Sequence, residues 1–178
     1  MTVGRGEPGT TGEARLGTVR IRPMEEEDLD RVVEVEEASF SVPWSRQAFS
    51  RLLGRPEVLC RVADRRGARS GRVVGHAILW RLADEAELAN IAVAPEERGR
   101  GVGGRLLDAL LEEIARWPVR RIFLEVRRSD ARAQQLYRSR GFRRLGLRRN
   151  YYRRPREDAV VMVRVTDPPP AAPAREET

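Results

Sequence analysis

Arg98-Gly99-Arg100-Gly101-Val102-Gly103-Gly104 places four glycines in seven positions, between the apolar run Leu88-Ala89-Asn90-Ile91-Ala92-Val93 and a stretch that reads as a helix starting near Gly101. Glycine leaves the backbone amide bare, and the following helix aims its free N–H groups and the positive end of its dipole into the turn. The chemistry that suits such a turn is the binding of a pyrophosphate. Its spacing is neither of two common ones: the dinucleotide fingerprint needs a third glycine after Gly99-Arg100-Gly101, and a P-loop needs Gly-Lys-Ser/Thr. A glycine-rich surface turn is the plain alternative, so the rest of the chain has to decide.

Two further side chains stand out. In the run from Arg121 to Val126, alternation puts Ile122, Leu124 and Val126 on one face and Phe123, Glu125 and Arg127 on the other. A carboxylate amid such neighbours is unusual, and its structural explanation is an ion pair with Arg127 or Arg100. Tyr137 falls about two turns into the next helix, roughly 10 Å along it, and three strand residues cover a similar length. Tyr137 and Glu125 therefore reach the same level of a cleft, unless Tyr137 only packs behind Leu136. The one histidine, His76, follows Gly75 in mid-strand and reads as a satisfied interior or edge side chain rather than a base. No Cys or His cluster has ligand spacing, so no metal is expected.

These residues need a frame to hold them. Val19-Arg20-Ile21-Arg22 alternates as a strand; Pro23 and the acidic run Glu25 to Asp28 open a helix whose apolar stripe is Leu29, Val32, Val33 and Ala38. Ser45 caps a second short helix through Phe49, Leu52 and Leu53, closed by Gly54 and Pro56. Strands are expected at about 57–63, 73–81 and 86–93, with turns at Arg65-Arg66-Gly67 and Ala83-Asp84-Glu85. Leu106, Leu110 and Ile114, with Leu107 and Leu111, form a long amphipathic helix that Pro118 stops. Arg121 to Val126 is a strand, Ser129 caps a helix ending before Gly141, and 142–149 and 159–165 make a last antiparallel pair.

The chain has 178 residues, enough for one good core. Residues 1–17 and 167–178 read as disordered tails around a domain of 18–166. One cysteine, Cys60, excludes an intramolecular disulfide and suits a small buried strand position. With no bilayer-length apolar run and no signal-peptide pattern, a soluble protein of a reducing cytoplasm is expected. The formal charge is +7, yet all 34 basic residues are arginine. That uniformity fits a chain-wide codon bias and weakens any inference from charge to nucleic acid.

An Arg-x-x-Gly-x-Gly turn between strand and helix resembles the acetyl-coenzyme A loop of the GCN5-related N-acetyltransferase (GNAT) superfamily, and the order of elements matches it over about 19–165. Four separated places sharpen the resemblance: Pro43-Trp44-Ser45; Asn90-Ile91-Ala92-Val93; Leu124-Glu125-Val126-Arg127 followed by Leu136-Tyr137; and Asn150-Tyr151-Tyr152 before Glu157-Asp158-Ala159. Together they resemble the RimI-type ribosomal-protein-alanine N-acetyltransferases, which acetylate the N-terminal alanine of the eighteenth small-subunit ribosomal protein. The resemblance implies an α/β (α+β) fold, with a mixed sheet of about seven strands flanked by about four helices and splayed between the fourth and fifth strands.

It also implies acetyl-CoA as cosubstrate, held by the main chain of Ile91, Ala92 and Val93, with an N–H near Ala92 or Val93 for the thioester oxygen. The loop residues Arg98, Gly99, Arg100, Gly101, Val102, Gly103 and Gly104 would take the pyrophosphate. Asp130 stands where the family has an asparagine that touches coenzyme A; ionised aspartate caps a helix but donates no hydrogen bond. Glu125 is implied as proton acceptor for the amine and Tyr137 as proton donor to the leaving thiolate. Trp44, Tyr151 and Tyr152 are expected to hold the substrate, with Glu36, Glu37 and Asp158 attracting a basic N-terminal segment. The expected partner is the N-terminus of a basic ribosomal protein, with ribosome proximity, no membrane and no specific DNA binding. A lysine or small-amine acetyltransferase and an RNA-binding module of the same fold are the competing readings.

Overall fold

In this computed structural model the described residues are 18–65 and 72–167. The expected tail at 1–17, all of that at 167–178 but Asp167, and most of the turn at Arg65-Arg66-Gly67, lie outside them. β1 (Val19–Pro23) leads through a single 3-10 turn at Glu26–Asp28 into α1 (Leu29–Glu37). The buried face of α1 is Leu29, Val32, Val35 and Glu36, which corrects the expected stripe: the helix stops at Glu37, so Ala38 lies past its last turn, and Val33 packs only beside the face. α2 (Arg46–Ser50) is capped by Ser45, whose hydroxyl accepts from the Ala48 amide at 3.2 Å.

β2 (Val58–Arg65), β3 (Arg72–Leu82) and β4 (Glu85–Val93) then continue an antiparallel meander from β1. α3 (Val102–Ile114) crosses to β5 (Arg121–Arg127), and α4 (Ala131–Arg138) follows. Its cap is Asp130 rather than the expected Ser129: Asp130 Oδ1 accepts from the Ala133 amide at 2.8 Å, while the Ser129 amide donates to Glu157. β6 (Arg143–Arg153) and β7 (Arg156–Val165) close the fold. They run longer than expected because pairing continues through Tyr152 with Glu157 and Arg153 with Arg156, so Asn150–Asp158 is mostly hairpin rather than loop.

The seven strands form one sheet in the order β1-β2-β3-β4-β5-β7-β6. β4 and β5 are its parallel pair, and they stay together only where Glu85, Ala86 and Glu87 face Arg121, Ile122 and Phe123. Past that rung the strands part, giving the splay that the family resemblance implies. Two layers cover the sheet. Leu106, Leu107, Leu110, Leu111 and Ile114 of α3 share a core with Tyr137 of α4 and with Ile122 and Leu124 of β5. At about 1.5–3 kcal/mol for each large aliphatic side chain buried, that face fixes α3 firmly enough to aim its N-terminus. On the other layer Leu29 and Val32 of α1 pack with Phe49 of α2 against Cys60, Val62 and Ile78. Cys60 is buried in β2 as expected, and burial pushes its thiol up to about 11. Among the described residues no helix is long and apolar enough to cross a membrane.

Candidate functional site

The glycine turn sits at the mouth of the splay. Gly99 and Gly101 have φ of +82° and +80°, the left-handed region that side chains disfavour, and Gly101 is the N-cap of α3. The first helical bond runs from the Arg105 amide to Gly101 O at 3.1 Å. The amides of Val102, Gly103 and Gly104 therefore open the helix with no acceptor inside it. They line a cavity of about 260 Å³. A Cβ at Gly103 would stand 3.6 Å from Val93 Cγ2 and 3.7 Å from Leu136 Cδ2, an ordinary fit, so here glycine keeps room above the amides. Gly104 has a packing reason instead: a Cβ there would meet Arg140 Nη2 at 2.5 Å, and Asp108 anchors that guanidinium at 2.6 and 2.9 Å.

The side chains of the turn have other partners. Arg98 donates to Val93 O at 2.9 Å and to Ser39 Oγ at 3.0 Å, tying the turn to the end of α1. Arg100 reaches Glu97 at 3.4 Å, and the Val102 side chain is buried, so what Val102 offers the cavity is main chain. Asp130 lines this cavity while capping α4.

Along β4 the register sorts the three residues expected to present their backbone. The Ala94 amide donates to Val74 O at 2.9 Å, so Ala94, and by alternation Ala92, turn their polar groups toward β3. Ile91 and Val93 turn theirs to the open edge, where β5 has departed. An extended chain laid along this edge would find strand-like partners in the backbone of Ile91 and in the Val93 N–H, since Val93 O already accepts from Arg98 and the Ala92 backbone is turned to β3.

A second cavity, of about 310 Å³, lies on the other side of Tyr137; Ile91, Asp130, Ala133 and Tyr137 line both. Glu125 projects into it from β5, as alternation requires, with its side chain 13% exposed. The ion-pair partner is Arg148 of β6, at 3.0 Å, and not Arg127 or Arg100. Arg127 instead pairs with Glu157 at 3.2 Å and lies 4.1 Å over the Tyr152 ring. Glu87, on the last rung before the splay, adds a second carboxyl; burial and then the charge of Glu125 push it above its ordinary value, with Arg148 opposing. Tyr137 is buried against Phe142, rings 5.9 Å apart, and burial holds its phenol well above the usual range and so protonated. Tyr151 and Tyr152 stand edge to face at 5.1 Å, and Tyr152, pushed up to about 12 by burial, donates to Glu125 O at 3.4 Å.

The remaining wall hangs on Glu36. This side chain is fully buried and accepts from Asn90 Nδ2 at 3.0 and 3.2 Å and from the Trp44 amide at 3.0 Å, and it meets His76 Nε2 at 3.1 Å. His76 is thus an interior histidine, held at one nitrogen while Nδ1 has no hydrogen-bond partner among the described residues. The network fixes Trp44 beside the cavity while its ring packs against Phe49 and Trp80, so Trp44 is at once core anchor and wall. It also corrects the expectation that Glu36 attracts a basic peptide: its oxygens are already taken by internal donors. Asp158 accepts from the Asn150 amide at 2.9 Å, and Glu37 lies exposed. Sequence reasoning missed Glu87 and Arg148. The signal for Glu87 was its polar place in an alternating strand; Arg148 stood out only as the start of the basic run Arg148-Arg149-Asn150-Tyr151-Tyr152-Arg153-Arg154, which suggested RNA rather than Glu125.

A model of the acetyltransferase (GNAT) family matches residues 29–142. A ribosomal protein bS18-alanine N-acetyltransferase of Escherichia coli K12 is 36% identical over 144 residues, covering 80% of this chain and 94% of the relative. One from Haemophilus ducreyi is 34% identical over 145 residues, covering 80% and 97%. The crystal structure of the ribosomal-protein-S18-alanine N-acetyltransferase from E. coli superposes with a TM-score of 0.75 at 33% identity, covering 87% of this chain and 99% of that one.

Proposed function

This chain belongs to the GNAT acetyltransferase family, and from that premise we propose that it transfers the acetyl group of acetyl-CoA to a protein N-terminal α-amine, that of the alanine of ribosomal protein bS18 in particular. The observation that carries this reading is one cleft in two halves joined at Tyr137, with free main-chain donors on one side and a carboxylate, a phenol and aromatic walls on the other. Acetyl-CoA supplies the activated acetyl group when bound. The open amides of Val102, Gly103 and Gly104, with the positive end of α3 behind them, suit its pyrophosphate. The edge groups of Ile91 suit its amide-bearing arm, and the Val93 N–H, turned to the same edge, would polarise the acetyl carbonyl.

On the other side Glu125 accepts a proton from the incoming α-ammonium, directly or through water. Tyr137 gives its proton to the departing sulfur and is restored by the second proton that the nitrogen sheds as the amide forms. Its dry setting raises its own pKa, and it also raises the basicity of a thiolate leaving beside it, so the transfer stays feasible. An α-amine has a pKa of about 8 against about 10.4 for lysine, so one carboxylate has the smaller task with the α-amine. Trp44, Tyr151 and Tyr152 would grip the first residues of the peptide. The test is steady-state acetyl-CoA consumption with an alanine-first basic peptide and with the same peptide blocked at its N-terminus. Turnover with the free peptide alone is expected; equal turnover with both would overturn the reading.

A further inference from the structure

We propose that Arg148 is the resident counter-ion of the amine seat, displaced from Glu125 by the substrate's α-ammonium and returning when the product leaves. This rests on the reading of Glu125 above. Arg148 reaches the carboxylate from β6 at 3.0 Å, with a side chain 60% exposed against 13% for Glu125. The asymmetry sets the behaviour. A largely buried carboxylate is costly without a cation, whereas a half-exposed ion pair on a long, flexible stem is weak and is given up readily.

The charges of the cavity agree. Four carboxylates line it; Glu36 is taken by internal donors and Asp130 caps α4, which leaves Glu125 and Glu87, with Arg148 the cation paired to Glu125 while Arg127 is held by Glu157 and by Arg154 O at 3.0 Å. Two carboxylates against one guanidinium leave room for one more positive charge. When the ammonium takes Glu125, the guanidinium has two places within reach, the Glu87 carboxylate and the face of Tyr151, over which it already lies at 5.7 Å. After acetylation the nitrogen is a neutral amide with no claim on Glu125, which passes the proton it accepted to solvent and is a carboxylate again. Arg148 then reclaims Glu125 and favours release. Arg148 is on this account a positioning residue that sets affinity for the amine.

The experiment uses the full chain carrying Arg148→Gln, with an alanine-first peptide as substrate. Peptide KM should fall about two- to five-fold, the range an exposed ion pair spans, because the competitor is gone. KM for acetyl-CoA should hold. Millimolar guanidinium chloride, at ionic strength matched with sodium chloride, should inhibit the variant competitively against peptide and more strongly than it inhibits the unaltered protein, since the vacated seat now admits it. Arg148→Lys, which keeps the charge, should restore the higher peptide KM. A peptide KM that is unchanged or raised in Arg148→Gln, or equal guanidinium inhibition of both proteins, would overturn the proposal. Glu125→Gln run in parallel separates the two levels: if it loses turnover while Arg148→Gln leaves peptide KM alone, the counter-ion role falls and the catalytic reading stands. Full turnover in Glu125→Gln would overturn both.

Discussion

The two halves of the cleft are made of different material. On the glycine side the stretch from Ile91 to Gly104 offers mostly main chain, and α4 closes the cavity with Asp130, Arg132 and Leu136. On the other side the contacts are side chains, Trp44, Glu87, Glu125 and Tyr151 among them, brought together from separate segments between residues 44 and 151. A main-chain site survives most substitutions and is vulnerable where glycine is required. A side-chain site is vulnerable residue by residue, and the order of its losses reports the role of each.

The sharpest break between the halves should come from Glu125→Gln and Tyr137→Phe. Each should lower kcat by roughly 10²- to 10⁴-fold, as for a lost general base or acid, with little change in KM for acetyl-CoA. Wild-type kcat in both variants at saturating substrates would mean that the side-chain half does not carry the chemistry. Gly103→Val should do the reverse. Its Cβ fits, but the methyls fill the space over the amides, so KM for acetyl-CoA should rise roughly 10- to 100-fold, the worth of one charge-assisted hydrogen bond, while the fold survives. Unchanged cofactor affinity in a folded Gly103→Val protein would remove the pyrophosphate from this turn.

The same contrast explains what the sequence made legible. The turn from Arg98 to Gly104 could be read directly because its parts are contiguous and its physics is local: positive φ, bare amides and a helix start. The splay between the fourth and fifth strands followed from the family resemblance, and the facing of Glu125 from simple alternation. The partner of Glu125 could not be read, because Arg148 lies on a strand that reaches β5 only through β7. Glu36 was misjudged for a similar reason: a glutamate in an acidic helix reads as solvated, and only the packing of α1 over β3 and β4 turns it onto His76 and Asn90. That Ile91 and Val93, and not Ala92, turn backbone groups to the open edge needed the β3–β4 register, which no local pattern encodes.

The smallest effect belongs to Glu87→Gln. Burial and the neighbouring Glu125 raise the Glu87 carboxyl, so its ionisation costs stability that sets in as the pH rises past the unfolded value, is complete above the raised folded value, and is relieved as the pH falls. At neutral pH the amide should therefore stabilise the protein by a few tenths of a kcal/mol, reduced by solvent screening at this half-buried position, and the gain should vanish below about pH 4, where both folded and unfolded carboxyls are protonated. Urea midpoints at the two pH values check this; an equal gain at both would show that charge is not the cause.

The claim that binds the two halves together is that acetyl passes from the glycine side to an α-amine held on the carboxylate side. Its most direct test offers both amines at once: an alanine-first, arginine-rich peptide with a free N-terminus and one internal lysine, incubated with the enzyme and acetyl-CoA, and mapped by fragmentation mass spectrometry at low conversion. The expected product carries its acetyl group on the N-terminal alanine with the lysine unmodified. Acetyl found chiefly on the lysine would contradict the account and leave the same cleft serving a side-chain amine.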